Sequence, residues 1–374
     1  MFSQIKEWVD KRHEYGKQWQ ARTGGKVMGY FCTYAPEEVM YAAGVLPVRI
    51  LGSHEPLDVT EPYIFGMYCP FCRDCLAQGL KGRFDYLNGI MIAHSCLHIR
   101  QAYTSWEMHV PVEYSYYLPM PNNVQSPRAS EYLTQELGYF KKTIEEWTGN
   151  DVTDAKLDEA IATYNTTRRL LKQIYEMRKQ DDPAVTGLEA MYTVLAAQMV
   201  DKAELNKELE KIVAQLPNRR LGRDATVRLL MVGSEDDDRG FVEMMESLNA
   251  TIVTDEHCTG SRYFWNEVEP EENRLAAIAK RYVNRTPCPS KDWPERRRVA
   301  EVVKLAKDWN CQGALLIQQK FCDPHESDIP SLKSALEAEG IKTYFLEFDV
   351  TVPLGQFKIR VEAFLEMLEG DLLF

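Results

Sequence analysis

Three cysteines crowd into one short run, Cys69-Pro-Phe-Cys72-Arg-Asp-Cys75, and others close apolar segments far away in the chain. Cys96 follows Asn88-Gly-Ile-Met-Ile-Ala-His-Ser95, Cys322 follows residues 313–321, Cys258 follows residues 250–257, and Cys32 follows residues 27–31. Thiolates are soft ligands, suited to iron–sulfur clusters and to zinc. If the apolar segments are parallel strands, their carboxyl ends form one edge, where open α/β sheets bind ligands. That edge would bring thiols from distant parts of the chain into one site.

The spacing narrows the chemistry. A bacterial ferredoxin run carries a fourth cysteine four positions after the third, followed by proline; here position 79 is Gly and the next cysteine is Cys96. His94 and His98 flank Cys96 and keep a zinc site open. A thioredoxin-type redox pair fits less well, because Cys69 does not follow a clear strand-to-helix start. Cys288, in a proline-rich loop, and Cys311, just before an apolar strand, read as ordinary residues. His94, His98, His257 and His325 stand beside these cysteines. Each is a candidate proton donor, set against a supporting hydrogen bond to sulfur or backbone.

Other segments read more plainly. Glu235-Asp-Asp-Asp238 after Ser234 reads as the capped first turn of a helix, with acidic groups at the positive end of its dipole. The basic stretch from Arg285 to Arg298 reads as a solvated helix start or a contact for a phosphate-bearing ligand such as coenzyme A. Neither Gly-x-x-x-x-Gly-Lys-Ser/Thr nor Gly-x-Gly-x-x-Gly occurs. ATP or a dinucleotide is therefore not held by those devices.

The elements that must position these residues alternate. Strands are expected at residues 27–31, 45–50, 88–93 and 110–117, with helices between them, which implies a parallel sheet with right-handed crossovers. Residues 2–21 read as a surface helix. From 126 to about 216 the apolar spacing is helical throughout, as in Leu133, Leu137, Phe140 and Ile144. Strands return at 227–232, 250–254, 313–318 and 341–348. The fold class is α/β: two doubly wound Rossmann-like domains joined by a helical connector, with the site in the cleft between them. The boundaries are 1–125, 126–221 and 222–374.

With 374 residues the chain can bury a core in each of two domains. A net charge of −12 argues against nucleic acid as a partner. No apolar stretch approaches the roughly 20 residues of a membrane helix, and the polar start lacks a signal peptide's apolar region. The expected location is cytoplasmic, where nine cysteines stay reduced and favour metal or redox chemistry over disulfides.

Four segments carry a family resemblance: Met28-Gly-Tyr-Phe-Cys-Thr-Tyr-Ala-Pro-Glu-Glu-Val-Met-Tyr-Ala-Ala-Gly44, Ser95-Cys-Leu-His-Ile-Arg-Gln101, Asp255-Glu-His-Cys-Thr-Gly-Ser-Arg262 and Lys320-Phe-Cys-Asp-Pro-His-Glu326. In order, over nearly the whole chain, they resemble the 2-hydroxyacyl-CoA dehydratase/benzoyl-CoA reductase family. The resemblance implies a 4Fe–4S cluster on three cysteines, with one iron open. It further implies a homologous cluster-bearing partner subunit and an ATP-hydrolysing iron–sulfur activator. Matched by motif, the ligands are Cys69 (Cys-Pro-x-x-Arg), Cys96 (Ser-Cys-x-x-Ile-Arg) and Cys322 (Phe-Cys-Asp-Pro). Cys72 and Cys75 depart from the pattern; with Cys258 and Cys32 they admit a larger double-cubane 8Fe–9S cluster.

Within the family, residues 103–117 and 318–325 resemble the smaller cluster-bearing subunit of ATP-dependent benzoyl-CoA reductase. The implied reaction passes low-potential electrons to the ring of an aryl-CoA thioester, with His98, His257 and His325 among the candidate acids. A radical 2-hydroxyacyl-CoA dehydratase subunit is the alternative, and a non-catalytic electron relay is a third.

Overall fold

The computed structural model describes residues 1–223 and 227–372. Its strands are Lys26–Tyr30 (β1), Val45–Arg49 (β2), Gly89–Ala93 (β3), Tyr114–Leu118 (β4), Val227–Gly233 (β5), Ala250–Glu256 (β6), Gly313–Gln319 (β7) and Lys342–Phe348 (β8). They form two sheets, ordered β2-β1-β3-β4 and β6-β5-β7-β8. Every pairing is parallel. The α/β class and the two Rossmann-like sheets follow directly. β2, β3, β6 and β7 are buried along their whole length, as strands covered by helices on both faces must be. The edge strands β4 and β8 are partly exposed.

In each sheet the winding reverses beside the first strand, between β1 and β3 and again between β5 and β7. Loops leaving the carboxyl ends there diverge to opposite faces and open a crevice. The first crevice is flanked by the loops that carry Cys32 and Cys96, the second by those that carry Glu235 and Cys322.

Between β4 and β5 lie the helices Ala129–Thr148, Asp154–Glu176, Gly187–Ala197 and Lys202–Gln215. Their starts are set locally: Thr153 and Asp201 accept from first-turn N–H groups, and Thr186 forms a capping box with Glu189. Leu133, Leu137, Phe140 and Ile144 share a core with Met28 and Met91 of the first sheet. Truncating the fully buried Phe140 to alanine would cost about 3–5 kcal/mol.

The helix Arg274–Asn284 follows β6 in sequence yet buries Ile278 and Tyr282 in that same first-sheet core. Tyr282 donates to Ala35 O at 2.6 Å, and Arg285 donates to Thr33 O and Oγ1 at 2.8 Å. The later half of the chain thus fixes the loop that carries Cys32.

The amino-terminal segment differs from the single surface helix read from sequence. It breaks at Lys11 (φ −108°, ψ 35°) into Ser3–Asp10 and Arg12–Thr23, and it buries Ile5, Val9, Tyr15 and Trp19. Among the described residues no helix is long and apolar enough to cross a membrane.

Candidate functional site

Seven cysteines, Cys32, Cys69, Cys72, Cys96, Cys258, Cys288 and Cys322, line one cavity of about 70 Å³. The first sheet contributes Cys32 after β1 and Cys96 after β3; the second contributes Cys258 after β6 and Cys322 after β7. Cys69 stands just before the helix Pro70–Leu80, Cys96 just before Leu97–His109, and Cys322 just before the short turn Asp323–Glu326. Expected ligands from both halves of the chain therefore face one space.

Close strand contacts hold the second half of this wall. A Cβ at Gly233 would lie 1.7 Å from Ile317 O, so only glycine lets β5 end pressed against β7. The next residue, Ser234, then ties three strand ends together. Its N–H donates to Ile317 O at 3.0 Å, its carbonyl accepts Cys258 N–H at 2.9 Å, and its hydroxyl accepts Gln319 N–H at 2.8 Å.

This corrects the reading of the acidic run. Ser234 caps no helix; the helix Arg239–Glu246 starts four residues later than that reading requires and is capped by Asp238, which accepts Phe241 N–H. Glu235, Asp236 and Asp237 are buried instead. Glu235 lines the cysteine cavity, and neither of its carboxylate oxygens has a hydrogen-bond partner. Burial, reinforced by Asp237 and Asp236, pushes its carboxyl well above the usual range. Asp237 pairs with His54 Nε2 at 2.5 Å.

The thiols differ in character. A hydrogen bond from Cys72, with help from His98 and the Phe71 and Cys72 N–H groups at the helix start, lowers Cys69 to about 6. Burial pushes Cys72, Cys96 and Cys322 up. It also raises Cys258 to about 11, against the pull of Arg262, whose Nη1 donates to Cys258 Sγ at 3.3 Å. Cys75 does not line the cavity and donates to Ile50 O at 3.5 Å. With 3.6 residues per turn, it stands about 240° round the helix from Cys69. Cys311 lies in a separate core with Trp309 and Ala314.

The histidines separate as well. His98 and His325 line the cavity; His94 and His257 do not. His98 Nδ1 accepts Cys69 N–H at 3.1 Å, and its Nε2 lies 3.5 Å from Asp323. His325 is buried with neither ring nitrogen partnered, and burial drives its pKa well below the usual value, so the ring is neutral. His257 Nδ1 lies 3.0 Å from Thr259 Oγ1. His94 packs on Tyr117, with ring centroids 5.5 Å apart.

Sequence reasoning missed Cys288 and Glu235. Cys288 reaches the cavity because its N–H donates to Tyr34 Oη at 3.1 Å, beside the Cys32 loop.

The chemistry of the donor set favours a polynuclear group over one ion. Among the described residues no three His, Cys, Asp or Glu side chains converge closely enough to hold a single metal ion. A zinc ion at His94, Cys96 and His98 therefore has no ready ligand set. Thiols arranged around a cavity suit a cluster, in which different irons take different sulfurs. Two buried cations that interact with the cavity thiols each carry an unpartnered nitrogen, Lys291 at Nζ and Arg49 at Nε. Unpaired buried charge is costly, and an anion held nearby would offset it. A cluster carrying several thiolates is one. The space is far below the ~300 Å³ of a small organic-ligand pocket, which excludes a whole CoA thioester from it.

Residues 32–368 match the family described as 2-hydroxyglutaryl-CoA dehydratase, D-component. The chain belongs to that family. It is 26% identical over 371 residues to the (R)-phenyllactyl-CoA dehydratase beta subunit of Clostridium sporogenes, covering 98% of each chain. It is 25% identical over 357 residues to a benzoyl-CoA reductase subunit of Thauera aromatica, covering 93% of this chain and 92% of that one. The (R)-2-hydroxyglutaryl-CoA dehydratase beta subunit of Acidaminococcus fermentans is 25% identical over 355 residues, covering 92% and 93%. Each of these relatives is named as one subunit of an enzyme acting on a CoA thioester.

Proposed function

We propose that the chain is the cluster-bearing subunit of an anaerobic enzyme that delivers single electrons to a CoA thioester. One observation carries this reading: seven thiols from both halves of the chain surround one small, largely apolar cavity that also holds unpaired polar groups. Cys69, Cys96 and Cys322 would hold a 4Fe–4S cluster. That cluster, when bound, supplies low-potential electrons and one open iron position.

The chain's own residues do the rest. His98 orients the Cys69 loop through the Cys69 N–H, and its Nε2 reaches toward the Cys322 turn at Asp323. The apolar wall, including Phe31, Phe71 and Ile99, limits water. Glu235, its carboxyl pushed toward the protonated form by burial, stands at the cavity wall as a candidate acid. With both oxygens free it is a stronger candidate acid than His257, which lies outside the cavity. The CoA portion lies outside, against this subunit's mouth or its homologous partner. An ATP-hydrolysing activator recharges the site.

Two reactions fit this arrangement: reduction of an aryl-CoA ring, and dehydration of a 2-hydroxyacyl-CoA. Electron stoichiometry separates them. With the reconstituted complex, ring reduction consumes electrons in proportion to product, whereas dehydration needs only catalytic amounts. An anaerobically isolated complex without iron and sulfide would refute the proposal as a whole.

A larger double-cubane cluster is a second reading, favoured by Cys32, Cys258 and Cys288 on the same cavity. It predicts about twice the iron per chain of a single 4Fe–4S cubane.

A further inference from the structure

Lys291 ends the short turn Pro289–Lys291 that begins next to Cys288, and its N–H donates to Cys288 O at 2.9 Å. Its side chain is fully buried, and Nζ has no hydrogen-bond partner. An ammonium is tolerated in such a place only when something anionic balances it. The charged and titratable groups that interact with it are Cys288 on its own turn, Cys32 after β1 and Cys96 after β3, with His94 sensing it from the end of β3. Three of these are cavity thiols. Arg49, in β2, is buried on the same cavity, with Nε unpartnered and Nη1 donating to the neutral Gln198.

We propose that Lys291 is the built-in counter-cation of the group held by the cysteine cavity, and that it sets how readily that group accepts an electron. This rests on the cluster reading above. Reduction adds one negative charge to the cavity, and a fixed cation that interacts with three of its thiols lowers the free energy of the reduced state. Net charge around a cluster is among the factors that set its potential. Lys291 is a positioning residue, acting through charge rather than by touching substrate.

The test compares wild type with Lys291→Met, Lys291→Gln and Lys291→Arg in the anaerobically purified complex. Midpoint potential is read by electron paramagnetic resonance during redox titration. The neutral variants make reduction about tenfold less favourable, a drop of about 59 mV for one electron, while Lys291→Arg stays near wild type. In the iron-depleted full chain, Lys291→Met melts higher than wild type, because an unbalanced buried charge has gone. A purely structural lysine would do the reverse, lowering melting and leaving the potential alone. Iron-replete Met and Gln variants with the wild-type midpoint overturn this inference while leaving the cluster reading intact. Iron-free wild-type protein overturns both.

Discussion

Arg262 donates to Cys258 Sγ at 3.3 Å while gripping Glu256 with Nη2 at 2.8 Å and with Nε. One guanidinium thus joins the site to a buried ion network, because Glu256 also accepts from Arg298, and Arg298 from there pairs with Asp328. Replacing Arg262 with Gln should cost about 3–5 kcal/mol of stability, the range for breaking a buried pair by removing one partner. Cys258, relieved of its donor, should titrate above its present value of about 11 and alkylate more slowly. Urea unfolding and a thiol-alkylation time course check the two effects separately.

The same network gives an acid limb. Burial would raise Glu256, but Arg262 and Arg298 prevail and hold it near 2, below the ordinary carboxylate value of 4.5. A depressed folded-state pKa adds stability that is complete above the unfolded pKa and is lost as pH falls through the folded one. Stability should therefore decline between about pH 4.5 and pH 2. Glu256→Gln should flatten that part of the curve, as measured by denaturation midpoints across the range.

Glu235 shows how much of the site was legible in sequence, and where legibility stopped. The eight strands were readable because buried parallel strands are short apolar runs, and the cysteines at the ends of β1, β3, β6 and β7 came with them. The Ser234–Asp238 run obeys helix-cap grammar locally, yet Gly233 and Ser234 are committed to Ile317, Cys258 and Gln319, far away in the chain. Only those long-range contacts turn Glu235 inward. Cys288 was hidden for the same reason: its loop has no strand to announce it, and Tyr34 anchors it. Cys75 failed the other way, because cysteine spacing alone does not say which side of a helix faces the cavity.

Burial pushes the Glu235 carboxyl toward its protonated form, which glutamine matches in shape and charge, so Glu235→Gln should fold with little change in stability. If its proton is used, turnover should fall about 10²-fold or more, the usual contribution of a general acid. Unchanged turnover with normal iron content would remove Glu235 from the chemistry.

Cysteine variants rank the ligands. Changing Cys69, Cys96 or Cys322 to Ser should remove most of the iron from anaerobically purified protein. Cys75→Ser and Cys311→Ser should retain it, since both thiols lie outside the cavity. Cys288→Ser is the informative case: wild-type iron favours a single cubane, and a substantial loss favours the larger cluster.

His54 provides an alkaline limb with the opposite sign. Asp237, at 2.5 Å, with Asp238 and Asp236 beyond, overcomes the burial that would lower the imidazole and raises it from 6.5 to about 10. A raised folded-state pKa contributes stability that is full below the unfolded value and fades as pH rises through the folded one. The fold should therefore weaken between about pH 6.5 and pH 10, with the Glu235 loop affected first because Asp237 belongs to it. His54 has φ near 60°, a conformation that asparagine tolerates better than most residues. His54→Asn is thus the clean control: its urea midpoint should be lower than wild type at pH 6 and should converge with wild type by pH 10. A constant gap across that range would show that the pair contributes no pH-dependent stability.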